Sequence, residues 1–111
     1  MAQVVRQNYE KKRPVIQTAV EKLGRGEAWD DLRQSLADRV HSPQVLYDCL
    51  SGAGAAVCSE EINCDRGRLL SALLHAHEIR PRFTILDLAY ITGIMPEAAQ
   101  GIMDRCTGLA R

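Results

Sequence analysis

The chain has 111 residues, 46% of them apolar and 25% charged, which is enough for one hydrophobic core and too apolar for a disordered polypeptide. Its 14 basic and 14 acidic residues cancel, so no global charge draws it to nucleic acid or to an anionic membrane. Apolar runs are short and interrupted by charges, and residues 1–8 lack the apolar centre of a signal peptide, so the expectation is a soluble, cytoplasmic protein that does not engage the membrane.

The charges are unevenly placed along the chain. Residues 1–26 hold six bases (Arg6, Lys11, Lys12, Arg13, Lys22, Arg25) against Glu10 and Glu21. Residues 27–48 hold five acids (Glu27, Asp30, Asp31, Asp38, Asp48) against Arg33 and Arg39. A molecule with a basic head and an acidic middle suits a protein partner better than a phosphate backbone.

Apolar positions recur at helical spacing throughout, with no alternating run of strand type, which predicts an all-α fold. Residues 1–13 read as a basic flexible arm or as the start of the first helix. Val15, Ile16, Ala19, Val20 and Leu23 form the first stripe, with Pro14 expected in its first turn and Gly24-Arg25-Gly26 at its end. Trp29, Leu32, Leu36 and Val40 form the second, over about Glu27 to Val40. Ser42 and Pro43 have the form of an N-cap and first helical residue, opening a short helix expected to bury Val45, Leu46, Cys49 and Leu50 before Gly52-Ala53-Gly54 stops it.

Ser59-Glu60-Glu61 reads as a brief acidic first turn. Asp65 caps the next helix, about Arg66 to Glu78, whose Leu69, Leu70, Leu73, Leu74 and His77 are expected at the centre of the core. Thr84 caps a fifth helix in a loose capping box with Asp87, and Gly93 takes the place after its end. Pro96 is expected to start the last helix, with Ala98, Ala99, Ile102, Met103, Cys106 and Leu109 on its apolar side. Residues 1–111 therefore predict a single domain, a small irregular or orthogonal bundle of five or six short helices.

Residues 84–109 form a helix, a tight turn and a second helix, with Leu88-Ala89 in the first, Gly93 in the turn and Ile102 in the second. This unit resembles the helix-turn-helix of bacterial transcription regulators, a likeness covering about a quarter of the chain. The outward positions of the would-be recognition helix are Glu97, Gln100, Gly101, Asp104 and Arg105, a face of net negative charge where DNA readers carry Arg, Lys, Asn or Gln.

Other constellations read as structural. Cys49, Cys58, Cys64 and Cys106 contain no C-x2-C pair, and His75 and His77 point to different sides of a helix, so no metal site is expected. Cys49 and Cys106 fall in apolar stripes, Cys58 and Cys64 in loop-like surroundings. Gly52-Ala53-Gly54 has neither a strand before it nor Gly-Lys-Ser/Thr after it, so it is no phosphate cradle. No nucleophile elbow is present and no cofactor is expected; the chain does not read as an enzyme.

The sequence thus predicts a small regulatory or adaptor protein that docks a helix face on another protein, such as a transcription factor or another macromolecular machine. Tyr90, Ile94, Met95, Glu97, Gln100, Asp104 and Arg105 are the expected contact residues. Tyr90, Ile94 and Met95 together exceed what so small a core can bury, which predicts a homodimer. The alternative is a DNA-binding transcription regulator contacting nucleic acid through Arg6, Lys11, Lys12, Arg13, Gln100 and Arg105.

Overall fold

A computed structural model describes the backbone of residues 1–109 and the side chains of residues 1–106. Among the described residues there are six α-helices, two 3-10 turns and no strand. The helices are α1 (Ala2–Leu23), α2 (Ala28–Leu36), α3 (Pro43–Gly52), α4 (Arg66–His75), α5 (Ile85–Ile91) and α6 (Ala99–Leu109), with the 3-10 turns at Ser59–Ile62 and Ala76–Ile79. No described helix is long and apolar enough to cross a membrane.

The caps lie where the local chemistry puts them. The Ser42 hydroxyl accepts the Val45 N–H with Pro43 as first helical residue, the Asp65 carboxylate accepts the Arg68 N–H, and Thr84 and Asp87 form a reciprocal capping box. Gly93 holds φ at 74°, in the left-handed region that ends α5, where a side chain would be strained. Helix extents differ from the expected ones. α1 begins at Ala2 and passes through Pro14, so residues 2–13 are helical and Pro14 costs one interior hydrogen bond instead of opening the helix. α2 ends at Leu36, short of Val40, and residues 95–98 form a turn, so α6 begins after Pro96 and not at it.

α1 packs on the turn Ala76–Ile79, on α5 and on α2, and α4 packs on α6 and on that same turn. Only Met95, Ala99 and Met103 are buried apolar residues among those described, one stripe where the start of α6 meets α4. Leu69, Leu70, Leu73, Leu74 and His77, expected at the core centre, are half-buried. The expected burial of Val45, Leu46, Cys49 and Leu50 is overturned: all four are exposed, because among the described residues no other element packs extensively on α3. Cys106 is also exposed, whereas Cys58 and Cys64 are half-buried, the reverse of the expected division. Leu109 belongs to the expected α6 stripe, and its side chain lies outside the described residues.

Candidate docking surface

The rigid part of the surface is built around a buried ion pair. Lys12 occupies the place of an apolar residue on the inner side of α1, in the series Val5, Asn8, Lys12, Ile16, Ala19, Leu23 spaced three or four apart. It is 1% exposed, and its ammonium lies 2.7 Å from Oδ1 of Asp87, itself 3% exposed. The same ammonium donates to the carbonyl of His77. The second Asp87 oxygen accepts from the Thr84 N–H at 2.7 Å and from the Thr84 hydroxyl at 2.8 Å. Burial pushes the Asp87 carboxyl up, but the bonds from Lys12 and Thr84 outweigh it and hold the group below its ordinary value.

Next to this pair the Tyr90 hydroxyl donates to the Leu74 carbonyl at 2.8 Å, and the Tyr90 ring packs tilted against the His77 ring with centroids 4.5 Å apart. α1 is thereby clamped to two segments distant from it in sequence, the turn Ala76–Ile79 and α5. The two charges of this clamp are paired and almost wholly withdrawn from solvent, an arrangement that ties α1 to α5. In the loop before the turn Ser59–Ile62, the N–H groups of Val57 and Cys58 donate to Glu61 and keep its carboxyl below the ordinary range. Among the described residues no three His, Cys, Asp or Glu side chains gather as metal ligands would.

Around the clamp the surface is open and apolar. A groove of about 410 Å³ runs between α1, α2 and α5, lined by Val20, Leu23, Trp29, Ile91 and Ile94. A second apolar depression of about 340 Å³ lies between residues 56–62, α4 and α6, with Leu69, Met103 and Cys106 in its walls. On α3, Val45, Leu46 and Leu50 are 46, 51 and 47% exposed, and Val4, Val15 and Val20 of α1 are each half in solvent. Patches of this kind are unusual on a self-sufficient monomer.

The residues expected to bind a partner fall into distinct places. Ile94 is 45% exposed at the rim of the groove, whereas Met95 is 3% exposed and packs inward, so it offers no outward anchor. Tyr90 is half-buried and engaged by Leu74 and His77. Glu97, Gln100 and Arg105 are exposed, and Asp104, also exposed, is ion-paired with Arg66 of α4. Of the residues expected to meet phosphates, Arg6, Lys11 and Arg13 are exposed on α1, with Arg13 3.1 Å from Glu10. Lys12 is withdrawn from that set by burial against Asp87. The sequence reading missed the Lys12–Asp87 clamp; a lone base inside an apolar spacing on α1 was the signal that pointed to it.

Part of the chain is similar to curated dehydrogenases. Over 60 residues, 53% of this chain, it is 40% identical to a glycerol-1-phosphate dehydrogenase [NAD(P)+] of Methanosarcina barkeri. It has the same identity over the same length to the corresponding enzyme of Methanosarcina acetivorans. The similar segment spans 16% of each of those enzymes. No known protein family and no solved structure matches the chain.

Proposed function

We propose that this chain is a helical docking module that packs its open apolar surface against the larger body of a dehydrogenase resembling the glycerol-1-phosphate dehydrogenases, supplying assembly and not the redox chemistry. The observation that carries this reading is uncovered area. The chain exposes 8459 Å², whereas a folded monomer of 12.3 kDa is expected to expose about 6,100 Å². The surplus, about 2,400 Å², is of the order that an obligate protein interface removes from water. Much of it is apolar side chain on α1, α3 and the Ile94 groove, which favours a polypeptide partner.

The similarity supports a dehydrogenase-like body as that partner, since a segment resembling part of a dehydrogenase is suited to pack on what surrounds its counterpart there. The relatives' nicotinamide cofactor does not fit the residues described here. Nucleotide-binding folds place a glycine-rich turn between a strand and a helix N-terminus, so that backbone N–H groups meet the pyrophosphate. In this chain Gly52-Ala53-Gly54 forms the C-terminal end of α3, where carbonyls project and repel an anion. No step of hydride transfer is therefore assigned to these residues.

The test is complementation in trans. The Methanosarcina barkeri dehydrogenase lacking its 60 similar residues should be co-expressed with this chain, and NAD(P)-dependent oxidation of glycerol 1-phosphate measured. The expected outcome is co-elution and recovery of activity by about tenfold or more over the truncated enzyme alone, abolished by Ile94→Lys at the groove rim. Absence of both co-elution and recovery would contradict the proposal.

A further inference from the structure

Three sulfur-bearing side chains, Cys58, Met103 and Cys106, line the depression between residues 56–62, α4 and α6. We propose that this is a binding site for one soft monovalent cation, cuprous copper, with the Cys58 and Cys106 thiolates and the Met103 thioether as its donors. The depression shares no lining residue with the Ile94 groove, so a metal there goes beyond the docking reading and does not rest on it.

Met103 and Cys106 stand three apart on α6, a spacing that puts both side chains on one face of the helix. Met103 is 4% exposed, whereas Cys58 is half-buried and Cys106 exposed, so the thioether lies deep and the thiols are open to an incoming ion. Cys58 reaches the depression from the loop before the turn Ser59–Ile62, where its thiol donates to the carboxylates of Glu60 and Glu61. Those carboxylates oppose an isolated thiolate, and a cation held on the sulfur removes the opposition. Arg66, the base in the same wall, is paired with Asp104. Val57, Ile62 and Leu69 complete an apolar surround, which limits competition from water. The donor set selects the metal. Zinc takes four N, S or O donors, and among the described residues no three His, Cys, Asp or Glu side chains gather. Thiolate and thioether sulfur instead favour cuprous copper. The lack of a C-x2-C pair speaks against zinc and not against donors brought together from a loop and a helix. Binding exchanges one Cu(I) for the two thiol protons, which pass to solvent, with no change of oxidation state.

The test is anaerobic titration of the reduced full chain with cuprous acetonitrile complex in competition with bathocuproine disulfonate, a chromogenic cuprous chelator. The wild type should retain one copper per chain and release about two protons as it binds. Cys58→Ser and Cys106→Ser should each weaken retention by about a hundredfold or more, at or beyond the upper end of the roughly 10–100-fold that loss of a mere outer-shell partner costs. Met103→Leu, which conserves volume in the core, should weaken it by about tenfold. Cys49→Ser and Cys64→Ser, at thiols that do not line the depression, should leave it unchanged. Far-ultraviolet dichroism checks that each variant folds, and X-ray absorption of the copper-loaded wild type, which needs no variant, should show sulfur neighbours alone. A wild type that yields all its copper to the chelator, retention unmoved by Cys58→Ser or Cys106→Ser, or nitrogen and oxygen neighbours at the copper would each overturn the proposal.

Discussion

Removing one partner of the Lys12–Asp87 pair leaves the other charge buried without compensation, at a cost of about 3–5 kcal/mol. Lys12→Met and Asp87→Leu are each expected to lower the unfolding free energy by that amount, while the double substitution should recover most of it, because both charges then leave together. Chemical denaturation of the three variants checks this. A double variant as unstable as the sum of the singles would mean that Lys12 and Asp87 act separately. The same pair sets a pH dependence. Asp87 titrates lower in the folded chain than in the unfolded one, so its contribution is present above the unfolded value of about 3.9 and is lost as pH falls through the folded value. Stability should therefore decline in acid below about pH 4, and Lys12→Met with Asp87→Leu should flatten that decline.

Helix ends in this chain are encoded within four residues, and for that reason the caps at Ser42, Asp65 and Thr84 and the turn at Gly93 were legible in the sequence. Helix starts without a cap were not. α1 has no side-chain cap at Met1, and its first three turns mix polar and apolar residues, so only tertiary contact with Ala76–Ile79 and α5 marks it as helix from Ala2. Burial was the least legible property, since periodicity says which side of a helix is apolar and nothing about whether another element covers it. α3 has the expected cap and stripe, yet its stripe faces solvent. The caps therefore predict different costs. Thr84→Ala removes the cap of α5 and a bond to Asp87, and should lower global stability by about 1–2 kcal/mol. Ser42→Ala should leave the global midpoint of the dispersed chain nearly unchanged and accelerate amide exchange in α3 alone, because α3 opens without disturbing the clamp.

The whole molecule is expanded for its length, with a radius of gyration of 16.1 Å against about 13 Å for a compact domain of this size. That expansion, the surplus surface and the exposed α3 stripe are what the proposed assembly, in which another polypeptide completes the core, accounts for together. The proposed assembly favours a protein over nucleic acid as the partner. The exposed side of α6 carries Gln100 and Arg105 beside Asp104, with exposed Glu97 in the turn before it, and Lys12 is withdrawn from the basic set of α1 by Asp87. Fluorescence anisotropy with duplex DNA at about 50 mM salt, a lenient condition for phosphate contacts, should detect no submicromolar binding. Binding at that level, lost with Arg105→Glu, would put the alternative, the helix-turn-helix DNA-binding reading, ahead of the docking reading.

The claim that the chain is an incomplete core is tested most directly by amide hydrogen exchange followed from dilute chain alone to chain assembled with the truncated dehydrogenase. The prediction is that α5 and the middle of α1, held by Lys12 and Asp87, are protected throughout, while α3 exchanges rapidly in the dilute chain and slows by about a hundredfold or more on assembly. Uniform protection of α3 in the dilute chain, unchanged by the dehydrogenase, would contradict it.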